Sequence, residues 1–227
     1  MKSRPWLRVA VASLVGQALL GSATVPWAAS LSPSLGVDPC TLVSAGVDTS
    51  QATNYVAALD CEAPGQTFLA VDTLITSITV WRAPVEASIG WPMKLWITDV
   101  DSLGMPLTSH VVFDGPEISV VSTDFNHATK IQYSFEPPIA LPRKGTYFFA
   151  IQERVGGFFD LLAVRDADPY PHGSAWRTAR SWLNGCFLAP GADRLIANDL
   201  VFTIEFCKST TTPVRSTTWG KLKVIYR

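Results

Sequence analysis

The densest chemistry in this 227-residue chain falls in residues 166–182. The stretch holds two carboxylates (Asp166, Asp168), Tyr170, His172, two arginines (Arg177, Arg180) and two tryptophans (Trp176, Trp182). On an extended backbone side chains alternate sides, so Trp176, Thr178, Arg180 and Trp182 share one face. A guanidinium between flat rings suits recognition of hydroxyls or of a carboxylate. The same spacing also suits a packing ladder in which Arg180 lies on a tryptophan. Asp168, Tyr170, Trp176, Arg180 and Trp182 form a first candidate ligand-binding set.

A second set comes from the wetter faces of other alternating segments. Trp81 falls with Ser77 and Thr79, Trp96 with Lys94 and Thr98, and Phe148 with Gln152. Sugars are bound by flat aromatic faces that stack on C–H surfaces and by planar polar groups that fix hydroxyls. If these segments are neighbours, Trp81, Trp96, Phe148 and Gln152 form one patch on an outer sheet face. Cover by a strap or by loops would make them core instead. Catalysis has little to build on. Glu136, Glu153 and Glu205 stand near segment ends with nothing to pair them as a glycosidase requires. No G-x-S-x-G occurs, and four paired cysteines would leave no thiol nucleophile. His110, His127 and His172 are scattered singly. The chain is expected to be non-enzymatic, with a small secreted hydrolase as the weaker alternative.

The elements that must position these residues read as strands. Residues 74–82, 93–99, 130–135 and 145–153 alternate apolar and polar positions, as does 200–206, where Leu200, Phe202, Ile204 and Phe206 oppose Val201, Thr203 and Glu205. Residues 66–70, 117–123, 158–164 and 173–182 complete a series of about nine. Turn signals separate them: Ala63-Pro64-Gly65, Gly90-Trp91-Pro92, Asp114-Gly115-Pro116, Pro137-Pro138 and Gly156-Gly157. No helical period with caps is present. The pattern predicts an all-β, antiparallel two-sheet sandwich of the jelly-roll kind, in one domain over residues 30–207. Residues 30–60 have no clear period and read as an irregular N-terminal strap.

Composition sets the compartment. At 48% hydrophobic and 16% charged the chain is globular. Lys2, Arg4 and Arg8, followed by a twelve-residue apolar run to Leu20, read as a secretory leader over residues 1–29, cut after Ala23 or Ala29. The run is too short to span a bilayer, and no transmembrane segment is expected in the mature chain. Of 18 basic residues three lie in the leader, which leaves 15 against 19 acidic and a net charge of -4. That balance excludes an electrostatic footprint for nucleic acid. Cys40, Cys61, Cys186 and Cys207 read as two disulfides in an exported protein. Three pairings exist. Cys40–Cys61 with Cys186–Cys207 is preferred, because each closes a local loop of the same spacing. Zinc is disfavoured by the absence of C-x-x-C.

The runs G-Q-T-F-L-A (65–70), I-T-S-I-T-V-W-R (75–82), K-L-W-I-T-D-V-D-S-L-G-M-P (94–106), P-R-K-G-T-Y-F-F-A-I-Q (142–152), D-P-Y-P-H-G-S-A-W (168–176) and D-L-V-F-T-I-E-F (199–206) follow in this order. Together they resemble the non-catalytic jelly-roll domains of bacterial secreted proteins, of the galactose-binding-like and carbohydrate-binding-module type. The resemblance covers residues 62–207. It implies a lectin-like sandwich that binds a glycan or cell-surface polymer, at an extracellular or cell-surface location. No cofactor is expected; the resemblance implies at most a structural calcium. Asp99, Asp101, Asp166 and Asp168 are spaced as oxygen ligands would be, and Asx-turn capping is the other reading of the same residues. Residues 208–218 are Ser/Thr-rich linker chemistry, and the chain ends in the basic W-G-K-L-K-V-I-Y-R. A surface-attachment or sorting tail there would fit the alternative class, a structural or surface-assembly protein.

Overall fold

The structure is a computed structural model. It describes residues 40–59, 61–84, 91–121, 126–155, 158–181, 186–195 and 199–208. The expected leader, residues 209–227 of the linker and tail, and Trp182 lie outside the described residues. The strands are β1 (Thr41–Val47), β2 (Asn54–Leu59), β3 (Pro64–Ala70), β4 (Leu74–Arg82), β5 (Trp91–Val100), β6 (Pro106–Val120), β7 (Thr129–Ala140), β8 (Gly145–Glu153), β9 (Phe158–Val164), β10 (Ala175–Thr178), β11 (Ala192–Arg194), β12 (Asp199–Leu200) and β13 (Phe202–Lys208). Sheet A runs β1-β13-β4-β9-β12, with β2 on β9 and β7 on β4; sheet B runs β11-β10-β3-β8-β5-β6. From β3 onward the chain changes sheet at seven of its ten connections, and the described pairings are antiparallel. This is the two-sheet sandwich that the alternating segments predict.

Inner faces meet in one core. β3 and β8 supply Phe68, Tyr147, Phe149 and Ile151; β4 and β13 supply Ile78, Val80, Phe202, Ile204 and Phe206. Phe68 packs on Phe149 and Phe206, and Phe149 packs on Phe202, with centroids 5.5–6.4 Å apart. Tilted rings at this spacing add to the area they bury. Arg82 also faces inward at the end of this core. Its guanidinium is buried beside Asp160 and Glu153, and the burial holds its pKa below the usual range.

Thirteen strands are described rather than nine, and the additions lie at edges. The expected strap contains β1, on β13, and β2, on β9. β1 is exposed along most of its length, so it lacks the apolar alternation that marks a half-buried strand. β6 begins eleven residues before the segment read from its Ile and Val content. β7 continues through Pro137 and Pro138. Its register against β4 jumps from Ser134 opposite Ser77 to Ile139 opposite Ile75, so the prolines sit in a bulge that asks no N–H of them.

The disulfide expectation is corrected. The bonds are Cys40–Cys207 and Cys61–Cys186, with Cα atoms 5.2 Å and 4.9 Å apart. β1 lies antiparallel on β13 with Leu42 opposite Cys207, which brings Cys40 to that cysteine. Strand pairing, not proximity in sequence, decides the partners. Both bonds join distant parts of the chain, 167 and 125 residues apart.

Candidate functional site

The patch expected from Trp81, Trp96, Phe148 and Gln152 does not form. β4 and β5 belong to different sheets, so Trp81 and Trp96 sit in separate layers of the sandwich. Trp81 is half-buried and packs against the core. Trp96, Phe148 and Gln152 do share the outer side of sheet B, but that side is covered. Trp96 is 5% exposed, with Lys94 Nζ 5.2 Å and the Arg154 guanidinium 5.6 Å from its ring. Phe148, with no exposed surface, packs with Ala63, Ala150, Trp176 and Leu188 in a small second core. Gln152 is a fastener: its Nε2 donates to the Cys61 carbonyl and, at 3.0 Å, to that of Phe187. The Cys61–Cys186 bond and the Ser181 Oγ bond to Phe187 O (2.7 Å) hold the same cover.

The 166–182 set is likewise divided. Tyr170 is buried, its hydroxyl accepting from Leu69 N (3.0 Å) and its ring edge-on to Phe202. Trp176 is half-buried against Phe148, and Arg180 Nε donates to Glu62 Oε1 at 3.1 Å. Asp168 is exposed and lies beside Asp199, a buried carboxylate that sequence reasoning passed over. Asp199 Oδ1 accepts from Gln66 Nε2 (2.8 Å) and Oδ2 from Tyr170 N (3.2 Å), while Gln66 Oε1 accepts from Leu200 N (2.9 Å). This network fastens β12 and the Tyr170 loop onto β3. Burial pushes the Asp199 pKa up to about 6, against the two hydrogen bonds and with help from Asp168. The expected metal ligands are not assembled: Asp101 Oδ1 accepts from Leu103 N and Met105 N, both 2.8 Å, as an Asx turn. Asp99 faces Arg143 at 3.8 Å, and Asp166 is an exposed loop residue at φ 65°. Among the described residues no three His, Cys, Asp or Glu side chains converge to hold a metal ion.

A different site emerges where the edges of the two sheets meet. β2 closes one edge of sheet A, and β10 with β11 closes one edge of sheet B. Between them opens a cleft of about 330 Å³, where Asn54, Tyr55, Arg165, Arg177, Asp193 and Arg194 surround an apolar floor that includes Val56, Ala57 and Leu195. Register places these residues. Tyr55 is opposite Leu162 on β9, and Arg165 follows that strand, held by its N–H bond to Thr53 Oγ1 (2.9 Å). Arg177 and Asp193 are cross-strand partners, as are Trp176 and Arg194. The Tyr55 ring is 55% exposed, unlike the aromatic residues singled out on sheet B. Arg177 is anchored by Glu62 Oε2 (3.3 Å) and by the Ala57 carbonyl (3.4 Å). Arg165 and Arg194 are exposed and have no ion-pair partner among the described residues. A second, larger cleft of about 510 Å³ lies between β6 and the β7 bulge, lined by Phe113, Pro116, Phe135, Pro137 and Ile139. Its polar side chains are Ser134 and Glu136, so of these two clefts it is the one at Tyr55 that carries guanidinium donors.

The chain matches no family model and no curated protein. Among solved structures it is similar to the cysteine protease and lectin-like domains of Cwp84, a surface layer associated protein of Clostridium difficile, at 10% identity and a TM-score of 0.41. The match covers 68% of this chain and 36% of that one, so the chain spans about a third of that protein's length.

Proposed function

We propose that this chain is an exported, non-catalytic binding module that takes a glycan in the cleft at Tyr55. The observation that carries the reading is the exposed Tyr55 ring in the wall of an open cleft flanked by planar arginine donors. A ring offers a face for sugar C–H groups, and guanidinium forks fix oxygen positions. Binding without hydrolysis fits the lining, which holds one carboxylate, Asp193, where most glycosidases use two. Disulfides using all four cysteines fit an oxidising compartment. The galactose-binding-like grouping and the cell-surface location are part of this proposal.

Affinity electrophoresis through gels cast with soluble polysaccharides tests it. The wild type is expected to be retarded by at least one polysaccharide. Tyr55→Ala, at an exposed edge position, is expected to stay folded and lose about fivefold or more in affinity, the worth of one stacked ring at about 1 kcal/mol. No retardation by any polysaccharide, or equal retardation of Tyr55→Ala, would contradict the reading.

A further inference from the structure

We infer that the cleft selects acidic glycans, taking a sugar carboxylate on the guanidinium groups of Arg165 and Arg194. The inference rests on the glycan reading above and narrows it to a chemical class.

Charge is the first observation. Three guanidinium groups line the cleft against a single carboxylate, on a chain whose formal net charge is -1. Like charges gathered in a concave site focus a field that draws anions. The second observation is the division of labour among the three. Arg177 is already committed, to Glu62 at 3.3 Å and to the Ala57 carbonyl, so it braces the wall. Arg165 and Arg194 have no such partner among the described residues and are exposed to an incoming ligand. The third is residue type. Arginine presents its donors as a planar fork that matches a carboxylate in two parallel hydrogen bonds, which a lysine cannot do. Tyr55 and Asn54 complete the lining with a ring face and an amide. A uronate-bearing chain offers the matching set: a sugar face for the tyrosine, hydroxyls for the amide and a carboxylate for the arginines. The placement is also consistent within the fold. Arg165 follows β9 of sheet A and Arg194 ends β11 of sheet B, so a carboxylate held by both bridges the two sheet edges.

The test is calorimetric titration of the full chain with an oligogalacturonate, with the same oligomer after methyl esterification, and with a sulfated glucan oligomer. The acidic uronate is expected to bind at least about tenfold more tightly than its neutral ester, with affinity falling as salt rises. Arg165→Ala and Arg194→Ala are each expected to weaken the uronate about tenfold and leave the ester unchanged. Arg194→Lys, which keeps the charge and loses the fork, is expected to fall between wild type and alanine. Circular dichroism checks that each variant is folded, and both sites are exposed. Equal binding of uronate and ester, or alanine variants that bind uronate as wild type does, would overturn the acidic selection and leave the glycan reading standing. Sulfated glucan bound as tightly as uronate would overturn selection for carboxylate. No binding by any of the three, joined with no retardation in polysaccharide gels, would bring down the glycan reading itself.

Discussion

Asp199 is a carboxyl whose burial favours the neutral form, against the Gln66 and Tyr170 donors that favour the anion. Its pKa rises from the usual 3.8 to about 6 because burial disfavours the anion. The folded chain therefore holds this proton more tightly than the unfolded one. The stability this confers is fully present below about pH 4 and is lost as pH rises through 6. Between pH 4.5 and 7.5 wild type should lose about 2 kcal/mol relative to Asp199→Asn, because about two pKa units are involved. Urea denaturation of both proteins at the two pH values checks this, and a constant difference would contradict it. Gly65 is a second residue with no freedom. A Cβ there would stand 2.0 Å from the Phe149 carbonyl oxygen and 2.6 Å from the Phe148 ring. Gly65→Ala is expected to destabilise by about 3 kcal/mol, since backbone on one side cannot yield. A change below about 1 kcal/mol in a urea melt would show that β3 sits further from β8.

At the scale of elements, the cover on sheet B explains why strong aromatic signals gave no binding face. Trp96, Phe148 and Trp176 are on the outer side, as period two requires, but Leu188 and its neighbours lie over part of it and cations over the rest. The Cys61–Cys186 bond ties this cover down. Cys61→Ser with Cys186→Ser is expected to speed hydrogen exchange at Phe187–Ala189 and to lower stability by roughly 2–4 kcal/mol. The β4–β13 ladder, braced by Cys40–Cys207, should stay protected. Unchanged exchange over the cover would show that packing alone holds it. What was legible here follows from burial. β4 and β8 have the bounds read from their apolar–polar alternation, and β9 has the bounds read from its apolar run. β1, β2 and β11 were not legible, since edge strands carry little of that pattern.

At the scale of the whole molecule, the fold was written in local alternation and the site was not. Tyr55, Arg165, Arg177 and Arg194 are spread over 140 positions of sequence, and no motif links them. They meet because β2 pairs with β9 and β11 pairs with β10 at adjoining edges of the two sheets. Arg177 stood within the chemically dense stretch; Tyr55 lay in what read as an irregular strap. The disulfide pairing was hidden for the same reason, because a register spanning 167 residues leaves no local trace.

The location of binding is settled most directly by an NMR titration of the isotopically labelled full chain with an oligogalacturonate. The largest shift changes are expected at the amides of Asn54–Ala57, Arg165 and Asp193–Leu195, with little change around Trp81 or the Phe113–Phe135 cleft. Changes centred on Trp81, Lys130 and Gln132, or on the β7 bulge, would contradict a site at the junction of the two sheet edges.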